Sequence, residues 1–450
     1  MKRIFVFILV VAGIRGQTQT ILVKDSTIAK MVEEVSADSL RSYVEKMVSF
    51  GTRNTLSTQS DPRRGIGAAR NWVLSRFRDF AKNSGGRLTA FIDTTTLQAD
   101  GQRVNRATIL GNVVATLKGT DKNDTRIFII SGHLDNRRSD VMDAQNDAPG
   151  ANDDASGVAA LIECARIMSR KPFSATVIFV AVSGEEQGLL GANFMAEKAK
   201  KENWNIEGVL NNDIIGSNNS SETNIINNSQ VRVFSEAFSV LDTGRAAQTI
   251  RSLGLENDGP ARQLARYVKD VGERYVDNLQ VVMIYRNDRF LRGGDHTPYV
   301  LRGFPAVRIT EMNENYYHQH QDVRKENGIQ YGDLVAFMDF EYLRKNTAMN
   351  LATLASLAKA PSKPMNVVID TKALTNFTQL GWDPPAFGKA AGYLVLIRQT
   401  TSPAWEKKIF TNTTSIRLPY SKDNYFFGVQ SVGLGSPNES LPVIPAPLSK

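Results

Sequence analysis

Downstream of Gly111, apolar runs of strand length alternate with stretches whose apolar residues recur at helical spacing. Gly111–Gly119 and Arg126–His133 read as strands, Gly157–Arg170 as a helix, Ser174–Ser183 as a strand, Leu189–Lys201 as a helix and Ile206–Asp213 as a strand. This alternation predicts an α/β fold, a mostly parallel mixed sheet covered by helices on both faces. Upstream, the region from about 27 to 82 predicts helices. Ser36 is a cap-like start for an amphipathic stretch to Val48, and Gly65–Phe80 has a second such period. Downstream, Arg245–Leu253 and Pro260–Glu273 predict helices, Gln280–Tyr285 and Ala306–Thr310 strands, and Asp333–Ala358 a long helix. The Asn- and Ser-rich piece Asn218–Ser229 predicts a surface loop.

The pattern changes after Ala360–Pro364, a proline-bearing linker. Short strands follow at regular spacing: Val367–Asp370, Phe377–Trp382, Gly392–Arg398, Thr414–Leu418 and Tyr425–Val432. Residues 365–450 therefore predict a small C-terminal β-sandwich. Leu380-Gly-Trp-Asp-Pro, with the Tyr393 and Tyr425 strands, resembles a fibronectin type III domain. At the other end, Lys2-Arg3 precedes the apolar run Ile4–Ile14. A basic start and a short apolar core predict a signal peptide over 1–16 and an exported protein, periplasmic or extracellular. No later stretch is apolar enough to span a membrane.

A chain of 450 residues exceeds one ordinary core, and its apolar and charged fractions are those of a folded protein. The formal charge of +8 falls to +5 without Lys2, Arg3 and Arg15, and no basic block remains. That gives no reason to expect a nucleic-acid partner. The single cysteine, Cys164, sits at helical apolar spacing and predicts a small core residue.

Five segments carry the chemistry: Gly132-His-Leu-Asp135, Asn152-Asp-Asp-Ala-Ser-Gly157, Gly184-Glu-Glu-Gln-Gly188, Asn211-Asn-Asp-Ile-Ile-Gly216 and Tyr317-His-Gln-His-Gln-Asp322. Imidazoles and carboxylates are zinc ligands, and two such ions can activate one water for hydrolysis. Three of the segments follow directly on apolar strands, where open α/β sheets form their crevice.

In this order, together with Asp295-His-Thr-Pro298, the segments resemble peptidase family M28, zinc aminopeptidases, over roughly Val44 to Leu354. The resemblance implies a zinc-exopeptidase-like domain over 17–359, two zinc ions, and peptide substrates cleaved at the N-terminal bond. It assigns metal ligation to His133, Asp153, Glu186, Asp213 and a histidine of the last segment. Asp153 would bridge the ions, although Asp154 competes for that place. The family's His-x-x-x-Asp spacing favours His318, paired with Asp322, with His320 as the alternative. Glu185 would be the general base. Asp135 would accept the second ring N–H of His133, and Tyr317 would donate to the oxyanion. Asp295 and His296 read as pocket groups around the site or as structural residues.

Other readings stay within this fold: a glutaminyl cyclase, which typically uses a single zinc, a carboxypeptidase-type member, or a non-catalytic binding or receptor domain. The C-terminal sandwich is a candidate for contact with a surface or polymer.

Overall fold

The computed structural model describes residues 23–372 and 374–448; the expected signal peptide lies outside them. Helices α1 (Ser26–Glu33), α2 (Ala37–Val48) and α3 (Gly65–Ala81) come first, followed by strands β1 (Leu88–Leu97), β2 (Thr108–Leu117) and β3 (Arg126–His133). Next come α4 (Ala155–Met168), β4 (Thr176–Val182), α5 (Leu190–Lys201), β5 (Asn205–Asn212) and β6 (Gln230–Ser235). The order continues with α6 (Gly244–Ser252), α7 (Pro260–Tyr275), β7 (Gln280–Ile284), α8 (Thr297–Val300) and β8 (Ala306–Glu311). A small hairpin of β9 (Arg324–Glu326) and β10 (Ile329–Tyr331) precedes α9 (Phe340–Lys359).

β1 to β8 form one sheet in the order β1-β2-β4-β3-β5-β8-β6-β7. The four inner strands β4, β3, β5 and β8 run parallel, while β1 and β2 on one side and β6 on the other join antiparallel. The inner strands are nearly continuous apolar runs because helices cover both faces. Side chains alternate between the faces. Phe128 and Ile130 belong to the larger core under α2, α4, α7 and α9, and Ile129, Val180 and Val209 to a second core under α5 and α8. The mixed α/β architecture is as expected. Two details differ. Strand β1 lies at an edge, and its Thr-rich, half-exposed pattern carried no clear signal. The last helix begins at Phe340, not Asp333, because Asp339 caps it through a 2.9 Å bond from the Tyr342 amide.

The C-terminal part comprises β11 (Met365–Ile369), β12 (Thr378–Asp383), β13 (Ala390–Gln399), β14 (Lys407–Thr411), β15 (Ser415–Leu418), β16 (Tyr425–Gly433) and β17 (Ala446–Pro447). They make two small sheets, β15-β12-β11-β17 and β14-β13-β16, which enclose a shared core around Trp382, Tyr393, Val395 and Phe427. Buried charges fasten this unit to α7. Asp258 lies 2.8 Å from Arg266 and 2.5 Å from Arg398, and Lys408 lies 2.5 Å from Asp270. The linker is held too, since Arg126 donates to the carbonyls of Ala360 and Pro361. Among the described residues, no helix is long and apolar enough to cross a membrane.

Candidate metal centre

The parallel strands β3, β4 and β5 end side by side, and each delivers acidic or imidazole groups from its C-terminal end. His133 closes β3, Glu185 and Glu186 follow β4, and Asp213 follows β5. Asp153 enters from the turn before α4. Its neighbour Asp154 is the helix cap, accepting from the Gly157 amide at 3.0 Å. Asp154 also accepts from the amides of His133 and Ile214, at 2.9 and 3.2 Å. It thus ties two strand ends together and has no oxygen left over for a bridging role, which leaves that position to Asp153.

Each oxygen of Asp153 faces a different histidine. Oδ1 is 3.1 Å from His133 Nε2, and Oδ2 is 2.9 Å from His320 Nε2. His133 Nε2 also lies 3.8 Å from Asp213 Oδ1, and His320 Nε2 lies 3.2 Å from Glu186 Oε1. Two donor groups result, His133–Asp153–Asp213 and His320–Asp153–Glu186, which share one carboxylate. Glu185 completes the cluster: one ligand atom each from His133, Glu185 and Asp213 lie within 4.8 Å of one another, as do those from His133, Asp153 and Glu186.

The geometry reverses the order of preference between the two histidines of the last segment. His320 reaches the cluster. His318 instead stacks on Phe337, with ring centroids 3.7 Å apart and planes at 6°. Burial without a charged partner pushes the His318 imidazole down to about 4, so it is neutral. The reason is local backbone geometry: His320 adopts a left-handed conformation, φ +55°, which a spacing pattern cannot register. Asp322, the expected partner of His318, is spent on Arg138 and Ser139.

Asp135 acts differently from expectation as well. The second ring nitrogen of His133 donates to the main-chain carbonyl of Asp135 at 3.0 Å, whereas the nearest carboxylate oxygen is 3.9 Å away. The carboxylate accepts instead from the amides of Glu185 and Glu186, at 3.3 and 3.1 Å. One residue therefore fixes the His133 tautomer and the turn that carries both glutamates. Tyr317 sits in the same segment as His318 and His320. Its ring lies edge-on against Tyr331 with centroids 5.5 Å apart, and its amide donates to the Asn315 side chain at 3.0 Å.

Two residues that sequence reasoning passed over complete the surroundings. Arg308 of β8 is fully buried, with Nη2 3.0 Å from Asp213 Oδ2 and Nη1 3.3 Å from Asp288. An arginine within the apolar strand Ala306-Val-Arg-Ile-Thr was the available signal. Asp333 accepts from the amides of Asn152 and Asp153, at 2.9 and 2.7 Å, and fixes the Asp153 main chain. His296 donates to the Asn287 carbonyl at 2.7 Å, and both oxygens of buried Asp295 lack a hydrogen-bond partner among the described residues. Burial, reinforced by neighbouring carboxylates, pushes Asp295 up to about 8.

The donor set fits divalent cations. Asp153, Glu186 and Asp213 are buried together, and Arg308 compensates only one of them. Glu186 Oε1 is buried and accepts no well-formed hydrogen bond from the described residues. Burying several carboxylates at such short range without cations is costly. Mixed imidazole and carboxylate donors suit zinc, and no thiolate is at hand. Burial, with Glu186, Asp213 and Asp295 nearby, also pushes the Glu185 carboxyl well up, against the lowering effect of His133.

Known proteins resemble this chain in sequence and in fold. Residues 112–340 match peptidase family M28. A protein of Leptosphaeria maculans named as a probable zinc metalloprotease is 44% identical over 424 residues, covering 94% of this chain and 97% of the relative. A similarly named protein of Pyricularia oryzae is 44% identical over 426 residues, covering 93% of this chain and 84% of its own length. In structure the chain is similar to the LapA aminopeptidase of Legionella pneumophila, with a TM-score of 0.53, 18% identity and 80% of each chain covered. LapB of the same organism superposes with a TM-score of 0.52, 15% identity and coverage of 76% of this chain and 78% of LapB.

Proposed function

The chain belongs to peptidase family M28, and on that premise we propose that it is a zinc metallopeptidase that holds two ions and removes N-terminal residues from peptides. The observation that carries this reading is Asp153, whose two oxygens face His133 and His320 separately. A carboxylate so placed joins two donor groups. His133 and Asp213 would hold one ion, Glu186 and His320 the other, and Asp153 both. When bound, such a pair supplies polarisation of the peptide carbonyl and acidifies water.

The protein's own groups do the rest. Glu185 accepts the proton of the attacking water and passes it to the departing amine nitrogen. Its carboxylate stands among the donor atoms but makes none of the close pairs that Asp153, Glu186 and Asp213 make with the imidazoles. Asp135 orients the Glu185–Glu186 turn through its two amide bonds. Asp333 holds the Asp153 backbone in the same way. Tyr317 would donate its hydroxyl to the developing oxyanion. The two complete donor groups favour this reading over a single-zinc cyclase, and the intact set favours it over a binding module.

The test is Glu185→Gln in the full chain, assayed on aminoacyl substrates with the metal content measured alongside. The expected result is a loss of about 10²- to 10⁴-fold in kcat with zinc retained. Undiminished turnover in a zinc-loaded variant would remove Glu185 from the role.

The same proposal includes export, supported by Lys2-Arg3 and the apolar run Ile4–Ile14, and tested by N-terminal sequencing of the protein recovered outside the cell. The strand order β15-β12-β11 facing β14-β13-β16 supports a fibronectin type III-like reading of the last domain. That domain would offer a surface or polymer contact.

A further inference from the structure

The two glutamates of the cluster sit on a strained turn. Between β4 and α5 the chain runs Gly184-Glu-Glu-Gln-Gly-Leu189, with φ of +78° at Gly184, +118° at Gly188 and +61° at Leu189. Glycine takes such angles freely; leucine does not. A turn of this shape persists only where its surroundings hold it. Asp135 holds it from the end of β3, by accepting from the Glu185 and Glu186 amides. The Glu186 carbonyl is held from elsewhere: Arg103 Nη1 donates to it at 2.7 Å.

Arg103 belongs to the loop 98–107, which joins β1 to β2 at the edge of the sheet. That loop is built to present it. Asp100 Oδ1 accepts from the amides of Gln102, Arg103 and Val104 at 2.8, 2.9 and 2.9 Å, and the Asp100 amide donates to the Val104 carbonyl at 2.9 Å. Val104 is the one buried residue of the loop. It packs with Leu56 and Ala144, and Leu190, which follows the turn, lies against the same small apolar cluster. Arg106 ties the loop further by donating to the Leu56 carbonyl. Loop and turn thus share one apolar anchor, and the Arg103 guanidinium bridges from the first to the second. A charged donor makes that bridge roughly twice as strong as a neutral hydrogen bond.

We propose that Arg103 is a positioning residue, which through the Glu186 carbonyl keeps Glu185 and Glu186 aligned with the metal centre. The inference rests on the roles given above to Glu185 and Glu186, and it makes the β1–β2 loop part of the working site.

The experiment uses the full chain with Arg103→Met, which keeps the apolar stem and loses the donor, and Arg103→Lys, which keeps a charged donor for the single carbonyl. Three quantities are measured: kcat and KM on aminoacyl 4-nitroanilides, zinc affinity by competition with a chelator, and the thermal midpoint of the zinc-free chain. Arg103→Met is expected to lower kcat about 10-fold with KM unchanged, and zinc affinity about 10-fold, the lower end of what a partner of a metal ligand commands. The midpoint should not move, and Arg103→Lys should restore most of both losses. Either loss, restored by lysine at an unchanged midpoint, supports the inference. Wild-type values of kcat and zinc affinity in Arg103→Met would overturn it. So would losses that lysine does not restore or that come with a lower midpoint, which would make Arg103 only a part of the loop's packing. A wild type that binds zinc but cleaves no aminoacyl substrate would overturn the aminopeptidase reading, and the zinc titration would still decide the place of Arg103.

Discussion

Arg308 Nη2 lies 3.0 Å from Asp213 Oδ2, so a carboxylate that offers one oxygen to the cluster offers the other to a permanent internal cation. The same guanidinium reaches Asp288 at 3.3 Å and the Gly293 carbonyl at 3.2 Å. It therefore links the end of β5, through β8, to the loop that carries Asp295 and His296. Replacing Arg308 with Met leaves buried Asp213 without its guanidinium, while Asp288 keeps Arg289. The expected cost is about 3–5 kcal/mol of unfolding free energy, read by urea denaturation of the chelator-treated protein. Arg308→Lys keeps the charge but loses the fork and should fall between. Excess zinc should recover part of the loss by binding only the folded state. A loss below about 1 kcal/mol would show that the pair is unimportant.

The two histidines of the last motif make opposite predictions. On the proposed two-ion reading, His320→Ala should lower bound zinc from two ions toward one, and reduce activity by more than the roughly 10- to 100-fold typical of outer partners. His318→Ala should keep both ions. Elemental analysis of the two purified variants after dialysis separates them directly, and loss of metal from the His318 variant alone would reverse the assignment.

Asp25 predicts a pH dependence of stability. Burial alone would raise its carboxyl, but hydrogen bonds from Lys359, Asn438 and the Thr27 amide, with the Lys359 charge, hold it well below the usual carboxylate range. Because its folded-state pKa is depressed, its contribution is fully present above the unfolded value near 3.8. It is lost as pH falls through the lower folded value. Asp25 joins α1 to the end of α9 and to the C-terminal sandwich. Asp25→Asn should cost about 1.5–3 kcal/mol near neutral pH. The gap to the wild type should close progressively below about pH 4. Thermal unfolding across that range checks it, and a gap constant with pH would contradict it.

Much of the fold was legible because its signals are local. The inner strands are apolar on both faces, so Arg126–His133 and Ser174–Ser183 stood out as runs. β1 did not, since an edge strand with alternating exposure resembles a loop, and neither did β6, which is only six residues long and carries Gln230 and Arg232 among its apolar positions. The start of α9 is not legible in the sequence because Leu334–Met338 is apolar enough to extend the helical pattern. The geometry there is a 3₁₀ turn, and Asp339 sets the true boundary.

At the site, residue type and position at strand ends marked His133, Glu185, Glu186 and Asp213, because a parallel sheet gathers whatever follows its strands, while Asp153, in the turn before α4, was marked by the family resemblance. Roles that depend on side-chain direction were out of reach. A single left-handed residue turns His320 inward and leaves His318 to stack on Phe337. A main-chain carbonyl takes the bond expected of the Asp135 carboxylate.

The sequence alone determined the alternating α/β plan, the family and the set of acidic and imidazole groups, since each is written in short-range pattern and spacing. The tertiary structure decided which histidine faces Asp153 and where the Arg308 cation lies. Those properties are distances of a few ångströms between segments far apart in the chain, and they exist only once the core has packed around them.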